Sequence, residues 1–197
     1  MDSGLQGPGV VSPVVDLSFP HRWQAEILPA RPLILPPRHF TYPLVADEIE
    51  RGALEVLIRP ESHQLHPFLA TCALGFRDPA VPTGLWSAPH PEEICAVSGG
   101  YAYIIDTANP GSFSMIPHRP VLEIRTLPAR GLLLFIGHHS ILAWGHNGQA
   151  WQSQKLSDEG ITITGLDAGL LRGQGWDLMT DKDTSFALDL ATGLVTR

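Results

Sequence analysis

Cysteine, positive charge and long apolar runs are all scarce in this chain of 197 residues. There are only two cysteines, Cys72 and Cys95, and no CxxC pair. That argues against a zinc knuckle or a thioredoxin-type redox site, and the expectation is two buried, reduced thiols rather than a disulfide. Lys and Arg number 13 against 20 Asp and Glu, a net charge of −7, and no basic stripe offsets it. Such a surface repels phosphate backbones, so nucleic acid is not an expected partner. The longest apolar run, Leu132–Ile136, is far short of a bilayer span. No Lys or Arg precedes Arg22, and Pro13 interrupts the N-terminal valine pairs, which does not read as a signal peptide. The expectation is a soluble, cytoplasmic, acidic protein with no membrane partner.

Catalytic signatures are absent as well. There is no G-x-S-x-G, no GxxxxGK[ST] and no HExxH. Ser98 and Ser140 lack the flanking glycines of a nucleophile elbow, and Cys95 lies in an apolar stretch where an inert thiol is expected despite nearby His90. The paired carboxylates Glu92-Glu93 and Asp158-Glu159 are adjacent and therefore splayed. Asp177, Asp181 and Asp183 lack the spacing of a calcium loop and read as a solvated turn. A non-catalytic role without a cofactor is expected.

What the chain does have is turn formers: 19 glycines and 18 prolines. No segment sustains a helical period, whereas short apolar runs alternate with turns from residue 94 onward. Strands are expected at Leu54–Arg59, Phe68–Phe76, Ile94–Val97, Tyr101–Asp106, Val121–Leu127, Gly131–Gly137, Ser140–Gly145, Trp151–Leu156, Ile161–Leu166, Leu170–Arg172 and Ser185–Leu190. His146-Asn147-Gly148 carries the Asn-Gly pair of a tight hairpin. Ala46–Glu50 reads as a short helix, and the Pro-rich stretch holding Trp86 as a loop. Eight prolines before residue 45 preclude a regular sheet or helix running through that region. Residues 1–20 are expected to be flexible and 21–45 to form a proline-rich extended strap against the core. Residues 21–197, strap included, are expected to make one β-rich domain with blade-like repeats over 94–197. The fold class expected is all-β, with antiparallel meander sheets in a propeller-like arrangement, an incomplete propeller or a sandwich.

One motif repeats. A short apolar strand ending in an Asp, Asn or Gly turn recurs at Tyr101–Asp106, Ile141–Gly148 and Phe186–Gly193. Its alanines, Ala102, Ala143 and Ala187, are 41 and 44 residues apart, a spacing expected of four-stranded blades. The stretches Ala143-Trp144-Gly145-His146-Asn147-Gly148-Gln149-Ala150-Trp151 and Phe186-Ala187-Leu188-Asp189-Leu190-Ala191-Thr192-Gly193 make residues 142–196 resemble a β-propeller blade of the quinoprotein or tryptophan–aspartate repeat kind. Trp176-Asp177 imitates the end of such a repeat, but Gly173-Gln174-Gly175 stands where an apolar strand should run, so that match reads as chance.

Candidate site residues come from two sets. Trp144, Trp151 and Trp176 beside His146 would form a flat apolar patch for a partner or a sugar. The nine histidines (His21, His39, His63, His66, His90, His118, His138, His139 and His146) admit a metal reading. In that alternative, His118, His138 or His139, and His146 hold the ion of a hydrolase or lyase. His138 and His139 are read as strand neighbours on opposite faces. The leading expectation is a β-rich binding module whose partner is a protein, or a second copy joined through a sheet edge, with the strap as an alternative shield for that edge.

Overall fold

The computed structural model describes residues 12–44, 46–62, 64–167 and 169–196, without the side chains of 46–48. It is all-β: 17 strands fall into four sheets, three of four strands and one of five. Sheet I is β2 (Trp23–Leu28), β4 (Ala53–Pro60), β5 (Phe68–Ala73) and β3 (His39–Tyr42), in that spatial order. Sheet II runs β1 (Val14–Asp16), β6 (Gly84–Ser87), β7 (Glu93–Ser98), β8 (Tyr101–Asp106) and β9 (Phe113–Met115). Sheet III is β10 (Glu123–Leu127), β11 (Leu132–Ile136), β12 (Ile141–Gly145) and β13 (Gly148–Gln152). Sheet IV is β14 (Ile161–Asp167), β15 (Leu170–Asp177), β16 (Lys182–Asp189) and β17 (Val195–Thr196). Sheets III and IV are plain antiparallel meanders, and β6 to β9 form a third; β1 pairs parallel with β6 and β3 parallel with β5.

Three apolar layers join the sheets in sequence. Val56, Ile58, Phe68 and Ala70 of sheet I meet Ile94, Ala96, Tyr103 and Ile105 of sheet II. The opposite side of sheet II, with Trp86, Cys95, Val97 and Ile104, meets Leu133, Phe135, Leu142 and Trp144 of sheet III. Leu134, Ile136, Ile141 and Trp151 then face Leu171, Leu188 and Leu190 of sheet IV. Successive side chains of a strand point to opposite faces, so a strand with neighbours on both sides reads as an unbroken apolar run. Leu132–Ile136 is such a run because β11 lies between two layers.

The repeated alanines occupy equivalent places. Ala102, Ala143 and Ala187 each lie on the third meander strand of their sheets, β8, β12 and β16. Ala102 faces sheet III and Ala143 faces sheet IV. The register of Ala187 opposite exposed Arg172 puts it on the far side of sheet IV. That far side is polar, with Thr162, Arg172, Gln174, Asp183 and Ser185 all exposed. A polar outer face ends a stack of repeats without needing another. No apolar layer joins sheet IV to sheet I among the described residues.

The other end is closed differently. On the outer side of sheet I, Leu69, Thr71 and Ala73 have no accessible surface and Glu55 keeps 5%. Edge strands β2 and β3 flank the sheet, so the connector 29–38 has to cross its width, about 14 Å at the usual strand spacing. The inner side is filled by sheet II, and Arg31 of the connector lies 3.9 Å from Glu55 on the outer side. Residues 23–28 and 39–42 supply the two edges of sheet I, and Arg31 of the connector between them reaches its outer side. Of residues 1–20, expected to be flexible, Val14–Asp16 pairs with β6 and Phe19 is buried; residues 1–11 lie outside the described residues.

Other differences have local causes. The expected loop around Trp86 contains β6, whose four residues are too few for a pattern to emerge among prolines. β15 runs straight through Gly173-Gln174-Gly175. A Cβ at Gly173 would sit 2.3 Å from the Phe186 ring, and one at Gly175 2.2 Å from the Leu156 carbonyl oxygen. Neighbours fill the space that side chains would occupy, so the strand is glycine-rich because it is closely packed. Residues 46–51 form a 3-10 turn, and 153–156 leave the strand expected at Trp151–Leu156.

Phe135→Ala removes a fully buried ring from the layer between sheets II and III and is expected to cost about 3–5 kcal/mol. Gln174→Ala, on the open face of sheet IV, is expected to stay within about 0.5 kcal/mol. Urea unfolding of both variants checks the contrast.

Candidate functional site

Because β11, β12 and β13 are short antiparallel strands, their connections fall on two opposite rims of sheet III. One rim carries the β11–β12 turn at 137–140, the segment 116–122 entering β10, and the segment 153–158 leaving β13. The other carries the Gly145–Gly148 hairpin. The five residues of β12 separate the rims by about 13 Å.

The first rim gathers most of the candidate histidines. His138 and His139 lie in the turn rather than on a strand, with ring centroids 6.1 Å apart, which corrects the expectation of opposite strand faces. His118 comes from the segment before β10, and its Nε2 lies 2.9 Å from Ser140 Oγ. Its ring packs against Gly137, where a Cβ would be 3.0 Å from His118 Cγ. Burial lowers the His118 pKa below its ordinary value, with a smaller contribution from His139; the backbone of Phe135 acts the other way. Gln152 Nε2 donates to Ser140 Oγ at 3.3 Å, and Ser140 is 8% exposed. His139 Nδ1 lies 3.2 Å from the Ser157 carbonyl oxygen. Two depressions meet at His139 and Ser140. One, of about 330 Å³, is completed by Gln152, Ser153 and Lys155; the other, of about 200 Å³, by His118, His138 and residues 117–120.

Sheet IV adds Trp176 to this rim, its indole N–H donating to Asp181 at 3.2 Å. Lys155 pairs with Asp158, whose carboxylate also accepts from the Leu178 N–H; that bond first, and Lys155 second, hold its pKa down. The cluster Asp177, Asp181 and Asp183 belongs to the β15–β16 turn. There Asp177 Oδ1 accepts from the N–H groups of Met179 and Thr180, as a solvated turn requires.

The opposite rim holds His146 and, next to it, Trp144. His146 stacks with His90 at 4.7 Å between centroids. Trp144 donates its indole N–H to Glu93 at 2.8 Å, and the Glu93 carbonyl accepts from Trp23 at 3.1 Å. Desolvation raises the Glu93 pKa, against the Trp144 hydrogen bond and the histidines His90 and His146.

The candidate sets are therefore split. Trp144 is buried toward sheet II, whereas Trp151 is buried toward sheet IV with its N–H on the Leu190 carbonyl. Opposite positions in the pleat put them on opposite faces, and they share no patch with Trp176. His118, His138 and His139 converge, but His146 is across the sheet from them, and no three His, Cys, Asp or Glu among the described residues are placed to hold a metal ion. His63 lies outside the described residues. Cys72 faces sheet I's inner layer and Cys95 the layer beyond β7; both are free, and burial pushes both thiols up. Sequence reasoning missed Ser140 as the partner of His118, and Gln152 as the donor to Ser140, because 22 residues separate His118 from Ser140 and only the hairpin stacking joins them. No helix among the described residues is long and apolar enough to cross a membrane.

No protein-family model and no curated protein matches the chain. Among solved structures it is similar to the N-terminal domain of Nup159, at 11% sequence identity and a TM-score of 0.37, over 95% of this chain. The chain spans about half of that structure, 53%. A likeness at this level says nothing of function.

Glu93 allows a check with a definite sign. Its folded pKa lies above its ordinary value of 4.5, so the folded state holds the proton more tightly than the unfolded state. The stabilising contribution is present at acid pH and declines as pH rises from about 4.5 through the folded value. Glu93→Gln keeps an acceptor for Trp144 and carries no charge. Its stability relative to the parent is expected to be more favourable at pH 7 than at pH 4, and urea melts giving the same difference at both pH values would contradict this.

Proposed function

We propose that the chain is a β-rich interaction module that binds a protein partner through the histidine-bearing rim of sheet III and the adjoining turn of sheet IV. The observation that supports this is the division of labour across the sheets. The spaces between sheets are filled by apolar side chains, while His118, His138, His139, Ser140, Gln152, Lys155 and Trp176 meet at one exposed rim. Open depressions of a few hundred cubic ångströms suit loops or side chains of a partner better than an enclosed small molecule. Trp176 and the imidazoles offer the flat, amphipathic contact area that interfaces favour.

Self-association through a sheet edge has weaker support. β17 pairs with only Ala187 and Leu188 of β16, leaving residues 182–186 of that strand as edge. Lys182 and Asp183 lie on it, and charged residues blunt edge pairing. A protein of different sequence is the expected partner.

The test separates the two rims. The double variant His138→Glu/His139→Glu is expected to lose at least about tenfold in partner retention on an affinity matrix, while His146→Glu on the far rim retains it. Equal retention by both variants, or equal loss, would count against the proposal.

A further inference from the structure

We infer that Ser140 is a reactive nucleophile, with His118 as its base, that accepts an acyl group from a small carboxylic ester seated in the depression beside it. The inference depends on the rim reading only for where that ester would sit.

The contacts of Ser140 carry the argument. A side-chain amide nitrogen can only donate, so the Gln152 Nε2 contact occupies a lone pair of Ser140 Oγ. His118 Nε2 lies 2.9 Å from the same oxygen, within reach of its proton when the ring hydrogen sits on Nδ1. Nδ1 is buried, and the backbone of Phe135 is the group that favours the protonated ring against burial. Burial keeps this imidazole neutral at pH 7, the state a general base needs. A serine donating to a neutral imidazole is the arrangement that activates an alcohol for attack. Gly137 fixes the base, since its missing side chain lets the His118 ring lie against the turn that carries Ser140.

The space is suitable. Ser140 lines the depression of about 330 Å³ together with Gln152, Ser153, His139 and Lys155. In the step proposed, Ser140 Oγ bonds to the ester carbonyl carbon while its proton passes to His118 Nε2. The carbonyl oxygen gains negative charge, and the Lys155 ammonium and Gln152 amide are donors lining the same space. The C–O bond to the alcohol then breaks, and the alcohol leaves with the proton from His118. Water, deprotonated by His118, releases the acid and restores Ser140. No oxidant, reductant or metal is required.

The experiment uses a fluorophosphonate probe, in which Ser140 Oγ would bond to phosphorus and fluoride would leave. The full-length protein is expected to gain one adduct, located on Ser140 by peptide mass spectrometry. Ser140→Ala should abolish it, and His118→Gln should slow it at least about 100-fold. The parent labelling rate should fall on acidification with an inflection below pH 6.5, as His118 gains its proton; Arg119, His138, His139, Lys155 and Asp158 are the charged or titratable groups around it among the described residues. The pH profile needs no variant, so misfolding of Ser140→Ala leaves the test intact. No adduct, an adduct elsewhere, a flat acid limb or unchanged labelling of His118→Gln each overturns the inference. Partner retention that survives Ser140→Ala leaves the interaction proposal standing whatever the labelling shows.

Discussion

Everything in this structure depends on sheets being buried on two faces. A four-stranded meander exposes two sides, and burying both requires a neighbour on each. Sheets II and III have that, and their central strands are apolar throughout: Leu133 and Phe135 point one way, Leu134 and Ile136 the other. Each buried side chain of this size contributes about 1.5–3 kcal/mol by leaving water, so the layers are the dominant source of cohesion between sheets.

Stacking raises the question of the ends, and the chain solves each end with different chemistry. Sheet IV presents threonine, glutamine, serine and charge, which need no cover. Sheet I keeps Glu55, Thr71 and His39 on its outer side in one chain of hydrogen bonds, 2.6 Å from Thr71 to Glu55 and 2.9 Å from His39 to Thr71. A buried carboxylate needs such partners, because leaving it unpaired would cost several kcal/mol. Arg31 of the connector lies 3.9 Å from Glu55 in this group. Prolines suit the connector, since a crossing segment outside any ladder has no use for regular amide donors.

The same geometry sends polar side chains to the rims. Between sheets there is no room for hydrated groups, so histidine, serine, glutamine and lysine gather where strands turn. Which rim each reaches follows from strand direction. β12 carries Ser140 just before its start and His146 just after its end, and that separation divides histidines that look like one set in the sequence.

Much of this was legible beforehand. Alternating turns and short apolar runs indicated the meanders, and the three repeated alanines marked the third meander strand of sheets II, III and IV. Edge strands β2 and β3 were not legible: their partners β4 and β5 lie farther along the chain, β3 pairs in parallel, and prolines between them mask strand character. The glycines of β15 concealed a strand because their cause, the Phe186 ring and the Leu156 carbonyl, lies outside the local window. Of the candidate site, His118, His138, His139 and Trp176 were visible by residue type alone, without their neighbours. Local pattern determined that the chain is all-β and where most strands end, since period and turn chemistry act over a few residues. Tertiary packing alone decided that Trp144 and Trp151 face apart, that His146 stands away from the other histidines, and that Ser140 meets His118, since such contacts depend on which strands lie side by side.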